Sequence, residues 1–129
     1  MLSVHPHVQN FLTDWEENTL AHKSKPRQRT VGNFDVEITP SARFLTVRIN
    51  SIFSTDRKSG KLSKLLGWLA AKADEHNVVL TFCAQPYGWD KDFLPNKNKI
   101  KTLVEKHGFE VKFEYPDKAG YEMIRWPAA

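Results

Sequence analysis

Apolar residues recur along this chain at two different periods, and each change of period marks a new element. Val8, Phe11, Leu12 and Trp15 share one face at helical spacing and Pro6 suits a first turn, so the pattern predicts an amphipathic helix over residues 6–21. The proline-broken basic run 22–29 then reads as a solvated connector. Beyond it the period drops to two. Phe34, Val36 and Ile38 alternate with Asp35 and Glu37 in a half-buried strand that Pro40 closes. Leu45, Val47 and Ile49 alternate with Thr46, Arg48 and Asn50 in a second strand over 44–53. The short connection between these strands predicts an antiparallel pair.

Leu62, Leu65, Leu66, Leu69 and Ala73 restore the helical stripe and predict a helix over 60–76, which Asn77 ends. Residues 78–84 are almost continuously apolar, the composition of a strand buried on both faces. A right-handed crossover through the intervening helix makes this strand parallel to the one over 44–53. After a loop containing Pro86, Gly88 and Pro95, a third helix carries Ile100, Leu103, Val104 and His107 on one face, and Gly108 stops it. Phe109, Val111, Phe113 and Tyr115 then alternate with charged residues, and 116–120 turn the chain into a last strand over 121–126. The expected fold class is α/β, with a mixed, mostly antiparallel sheet, a central parallel pair and flanking helices.

Composition bounds what such a fold does. With 40% apolar and 26% charged residues, the 129-residue chain has the material for one core and is expected to form a single domain over 1–129. The lone Cys83 excludes an internal disulfide and reads as packing inside its strand; His5 and His7, around Pro6, lack a third ligand, so no metal is expected. No apolar run approaches the roughly 20 residues of a membrane span, and the start lacks the order of a signal peptide. The expected location is the cytoplasm, with no membrane contact. Nineteen Lys and Arg against 15 Asp and Glu give a net charge of +4, which suits an anionic partner such as a phosphorylated cofactor. Aromatic and basic residues do not interleave on one strand, so nucleic acid is not the expected partner.

The stretch from Ile52 to Leu62 leaves a strand and enters a helix directly. A helix start presents unpaired N–H groups at the positive end of the dipole; Gly60 permits close approach, and Arg57, Lys58, Lys61 and Lys64 add charge. This is a phosphate cradle without the spacing of a Walker loop. Together with the Leu65-Leu66 helix, the strand ending Ala84-Gln85-Pro86 and the later Lys106-His107-Gly108-Phe109, it resembles the Gcn5-related N-acetyltransferase (GNAT) superfamily over about residues 44–126. The length and the ending Gly120-Tyr121-Glu122-Met123-Ile124-Arg125-Trp126-Pro127 also look like the compact acetyltransferases of tailed bacteriophages, for which the cytoplasm is the host's.

The resemblance implies a central parallel pair that is splayed, and an acetyl-CoA-dependent transferase that moves an acetyl group to an amine on a small molecule or protein, such as a host protein, by direct attack. It implies that Ile52 and Ser54 bond the pantetheine arm through their backbone, with the Ile52 N–H region polarising the thioester carbonyl. Arg57, Lys58, Ser59, Gly60, Lys61 and Leu62 line the pyrophosphate, and Lys97 stands where the superfamily often places an asparagine, between Asn96 and Asn98. Leu62 replaces the usual Gly or Ala, and Val104 replaces the tyrosine that protonates the departing thiolate in many members. The strand over 44–53 offers no carboxylate as general base. Candidates for the missing catalytic groups are Glu37, beside Asp35 on the neighbouring strand, and Tyr87 and Asp90, with Trp89 and Asp92, on the loop after the central strand. The N-terminal half is one strand short of the superfamily pattern. The alternative reading is a non-catalytic module of the same fold that binds a host or partner protein and retains CoA.

Overall fold

The computed structural model describes residues 5–21, 28–31, 34–41, 45–54, 59–84, 97–116 and 120–128, with the side chains of 53–54, 59–62, 84, 97 and 99 outside that description. Helix α1 spans Pro6–Glu17, four residues shorter than the pattern predicts. Its start is set by Pro6 in the first turn and by His5, whose Nδ1 accepts from the His7 N–H at 3.1 Å. Its end is set by side chains that take the last carbonyls: Asn18 Nδ2 donates to Asp14 O at 2.8 Å and Thr19 Oγ1 to Trp15 O at 2.7 Å.

Two short strands then occupy ground the pattern assigns to the helix end and the connector. They are β1 at Leu20–Ala21 and β2 at Gln28–Val31. Arg29 of β2 is not a solvated charge. Its Nε donates to Thr19 Oγ1 at 2.6 Å, and its Nη2 to Thr19 O at 2.9 Å and Glu16 O at 3.2 Å, which puts a cation on the C-terminus of α1. The expectation of a strand missing from the N-terminal half is therefore corrected, since both strands extend the sheet, while among the described residues a single helix precedes them, as expected.

The remaining elements are β3 (Phe34–Pro40), β4 (Thr46–Ser54), α2 (Ser59–His76), β5 (Val79–Ala84), α3 (Lys97–Glu105), β6 (Glu110–Glu114) and β7 (Tyr121–Arg125). Asn77 ends α2 with φ 57, and Val78 N donates back to Ala73 O at 2.8 Å. Gly108, at φ 94, turns the chain out of α3, which stops before His107. The seven strands form one sheet in the order β1-β2-β3-β4-β5-β7-β6, antiparallel throughout except for the central parallel pair β4–β5. An α/β fold with an open, mostly antiparallel sheet and flanking helices is what the residue pattern predicts.

Val8, Phe11 and Trp15 of α1, Leu66 and Leu69 of α2, and Ile100 and Val104 of α3 join Val36, Val47, Ile49, Leu80, Phe82 and Met123 in one buried cluster. Side chains of this kind contribute about 1.5–3 kcal/mol each when fully buried. The opposite face of the sheet, carrying Arg48, Thr81, Cys83 and Glu122, is polar and half-buried on β4 and β5. The reading of β5 as buried on both faces, with Cys83 as interior packing, is corrected accordingly: Cys83 lies on this outer face with intermediate exposure.

Candidate functional site

The site begins where β4 and β5 part. Their parallel pairing runs from Thr46↔Val79 to Ile49↔Phe82 and stops there, although β4 continues to Ser54 and β5 to Ala84. A register step lies on the other side of β4. Pairing with β3 steps from Ile38↔Ile49 to Glu37↔Ser51, leaving Asn50 as an extra residue on β4. Such a bulge bends its strand, and this one coincides with the loss of pairing to β5. It also shifts the burial phase: the inward positions run Val47, Ile49 and then Ile52. Asn50 is clamped across the bulge, its Nδ2 donating to Glu37 Oε2 at 3.2 Å and to Thr39 Oγ1.

Past the bulge, β4 ends at Ser54 and α2 begins at Ser59, so the backbone of Ser59, Gly60, Lys61 and Leu62 forms the first turn of a helix at the same edge of the sheet. The first-turn N–H groups of a helix have no partners within it and favour an anion. Ile52 and Ser54 thus lie on the last stretch of β4, and Ser59, Gly60, Lys61 and Leu62 lie in the first turn of the next element, α2. Lys97 opens α3, whose Asn98 Oδ1 accepts from Tyr121 Oη at 3.0 Å; Tyr121 pairs with Ala84 at the end of β5. Glu37 lies on the outer face beside the bulge. Arg57, Lys58, Tyr87, Trp89, Asp90, Asp92 and Asn96 lie outside the described residues. Val104, the position at which the sequence resemblance would put a tyrosine acid, is fully buried.

A second cluster was not singled out by sequence. Arg48 of β4 reaches across β5 to β7 and grips Glu122 with both ends of its guanidinium, Nη1 to Oε2 at 2.7 Å and Nη2 to Oε1 at 3.1 Å. Tyr115, after β6, donates its hydroxyl to Glu122 Oε1 at 2.6 Å. Burial, with the Glu122 carboxylate next, pushes the Tyr115 phenol up to about 12. The available signal was a carboxylate between Tyr121 and Met123 in a strand that begins near the cleft; its partner, Arg48, is 74 residues away.

Elsewhere, Ser63 Oγ and His107 Nε2 lie 3.0 Å apart between α2 and the turn after α3, and burial, then Arg125 and Lys106, lower the His107 pKa. Asp14, Glu75 and His76 place potential ligand atoms near one another, and the Lys72 ammonium already lies among them, 3.0 Å from Asp14 and 3.3 Å from Glu75. Among the described residues no helix is long and apolar enough to cross a membrane. No protein-family model, curated protein or solved structure matches the chain.

Proposed function

We propose that this chain is an acetyl-CoA-dependent N-acetyltransferase of the GNAT kind, with a primary amine as acceptor. The observation that carries the reading is the parallel pair β4–β5 that parts after Ile49 and Phe82 and is followed at the same edge by the N-terminus of α2. Freed from β5, the backbone of β4 beyond Asn50 has N–H and C=O groups for an extended amide chain such as pantetheine. The first turn of α2 offers its N–H groups to the pyrophosphate, with the basic residues Arg57, Lys58 and Lys61 close in sequence. On this reading the amine attacks the thioester carbonyl directly. One amine proton leaves to solvent or a carboxylate, and the thiolate takes up a proton as the C–S bond breaks.

Titration with acetyl-CoA tests the cofactor. Ligand at about a hundred times its dissociation constant adds roughly 2.7 kcal/mol of stability, which a thermal melt reads directly. Release of free thiol with a panel of amines and lysine peptides tests transfer. Absence of binding at millimolar acetyl-CoA overturns the proposal.

One observation favours the second reading, a non-catalytic module that keeps CoA and acts through a partner protein. Val104 is packed in the core at the position where many members carry their acid. Binding of acetyl-CoA without thiol release across the panel would select it.

A further inference from the structure

Ser63 of α2 and His107 of the turn after α3 meet across 44 residues of chain, with Ser63 Oγ 3.0 Å from His107 Nε2. The imidazole lies along one face of α2. Its Nε2 is on Ser63, and one turn further on its Cε1 and Nδ1 lie 3.5 and 3.6 Å from where a Cβ on Gly67 would stand. The backbone holds the ring there: His107 N donates to Val104 O at 2.9 Å, and Arg125 Nε donates to His107 O at 2.7 Å. Both residues are half-buried, and among the described residues neither Ser63 Oγ nor His107 Nδ1 makes another hydrogen bond.

We infer that Ser63 is a nucleophile, with His107 as its general base, and that it takes an acyl group from an activated ester or thioester. The inference goes beyond the transferase reading and does not depend on it. A serine hydroxyl is a weak nucleophile until a base within hydrogen-bond reach takes its proton, and this pair is within that reach. Burial, then Arg125 and Lys106, lower the His107 pKa, so the ring is neutral at pH 7 and keeps a lone pair. In the tautomer with its proton on Nδ1, Nε2 accepts from the Ser63 hydroxyl and Nδ1 is left to water. Helical side chains lean toward the N-terminus of their helix, so Ser63 Oγ lies over the first turn of α2. The N–H groups of that turn have no partners within the helix and favour the negative oxygen that the attack creates. In the reaction, Ser63 Oγ bonds to the acyl carbon as its proton passes to Nε2. The bond to the leaving oxygen or sulfur then breaks, and Nε2 returns the proton to that atom. The products are an acyl ester of Ser63 and a free alcohol or thiol, and water releases the acid by the same proton path.

p-Nitrophenyl acetate, an acyl donor without a CoA moiety, tests the assignment. The expected result is a burst of about one nitrophenol per chain, with peptide mass mapping that places one acetyl group on Ser63. Ser63→Ala should abolish both. His107→Gln keeps the hydroxyl and removes the base, and should slow acylation about a hundredfold, the lower end of what a general base contributes. Thermal melts of both variants separate these losses from a folding defect. Acetyl groups found only on lysines of the parent, or an equal burst in Ser63→Ala, overturn the assignment of Ser63. An unchanged acylation rate in His107→Gln overturns the role of His107. Acetyl-CoA takes no part in the measurement, so its failure leaves the transferase reading standing, and a chain that does not bind acetyl-CoA leaves this inference standing.

Discussion

Arg125 and Asp74 meet end to end between β7 and α2, Nη1 to Oδ1 at 2.8 Å and Nη2 to Oδ2 at 2.9 Å, and Arg125 Nε donates to His107 O at 2.7 Å. One nearly buried guanidinium thus ties the last strand to α2 and to the turn after α3. Lysine lacks the planar fork that satisfies all three acceptors at once. Arg125→Lys is expected to cost about 2 kcal/mol, the scale of lost hydrogen bonds to a charged group. Urea denaturation reads it as a lower midpoint at constant slope.

The same contacts explain why Gly108 is glycine. Its φ of 94 already disfavours any other residue, and a Cβ there would lie 3.2 Å from Arg125 Nε. The sequence pattern places a helix stop at this glycine. It does not reveal that the stop also makes room for the Arg125 side chain.

Placing at position 104 the tyrosine that the proposed GNAT reading would call for is expected to fail as a gain of function. Val104 is fully buried among Ile100, Phe109 and the rest of the core cluster, and a phenol there exceeds the space. Overpacking of this kind costs about 1–3 kcal/mol. Val104→Tyr should melt lower than the parent and transfer acetyl groups no faster. A faster variant with an unchanged melt would show that position 104 reaches the thioester.

Three titrating groups give acid sensitivity of the same sign. The His107 pKa is lowered by burial, then by Arg125 and Lys106; Asp14 is lowered by its hydrogen bond to His76, with burial opposing and Lys72 assisting; Asp74 is lowered by its hydrogen bonds to Arg125, with burial opposing. In each case the unfolded chain binds the proton first as pH falls, so stability drops. The His107 contribution is complete above its unfolded value of 6.5 and is lost as pH falls from there through the lower folded value. The carboxylate contributions persist to about the unfolded value of 3.8 and are lost below it. Melting temperature against pH should therefore decline in two stages, and His107→Gln should remove the upper stage alone. A variant that retains the decline just below pH 6.5 would assign it to another group.

The helices and long strands were legible because each carries a complete apolar stripe. Leu65, Leu66, Leu69 and Ala73 repeat at helical spacing whatever they pack against, and Asn77 and Gly108 mark the ends. Strand β1 was hidden because Leu20–Ala21 is two exposed residues with no period, and β2 because Arg29 looks like part of a solvated basic run until its partners on α1 are seen. In the candidate site, the helix start at Ser59 was read from local residue types. The Arg48–Glu122–Tyr115 cluster was not, because alternation assigns a side to each strand residue and says nothing of which distant strand lies beside it. Asn50 falls between these cases: regular alternation over 44–53 makes it one more polar position and conceals the bulge.

That bulge yields the most direct test of how the site is built. Deleting Asn50 would let β3 and β4 pair without a step: Ser51 would follow Ile49 directly and still oppose Glu37, and every later β4 residue would keep its present face and partner. Ile52, buried at 2% exposure, would stay in the core. If the bulge is what carries β4 away from β5, the deletion should extend the parallel pairing past Ile49↔Phe82 and abolish the proposed acetyl-CoA binding. Asn50→Gly keeps the extra residue and removes the clamp to Glu37 and Thr39, so it should retain binding at reduced stability. Amide hydrogen exchange distinguishes the two: new protection at Ser51 to Ser54 is expected in the deletion and not in the glycine variant. Equal acetyl-CoA affinity in the parent and in a folded deletion variant would show that the parting of the strands does not depend on the bulge.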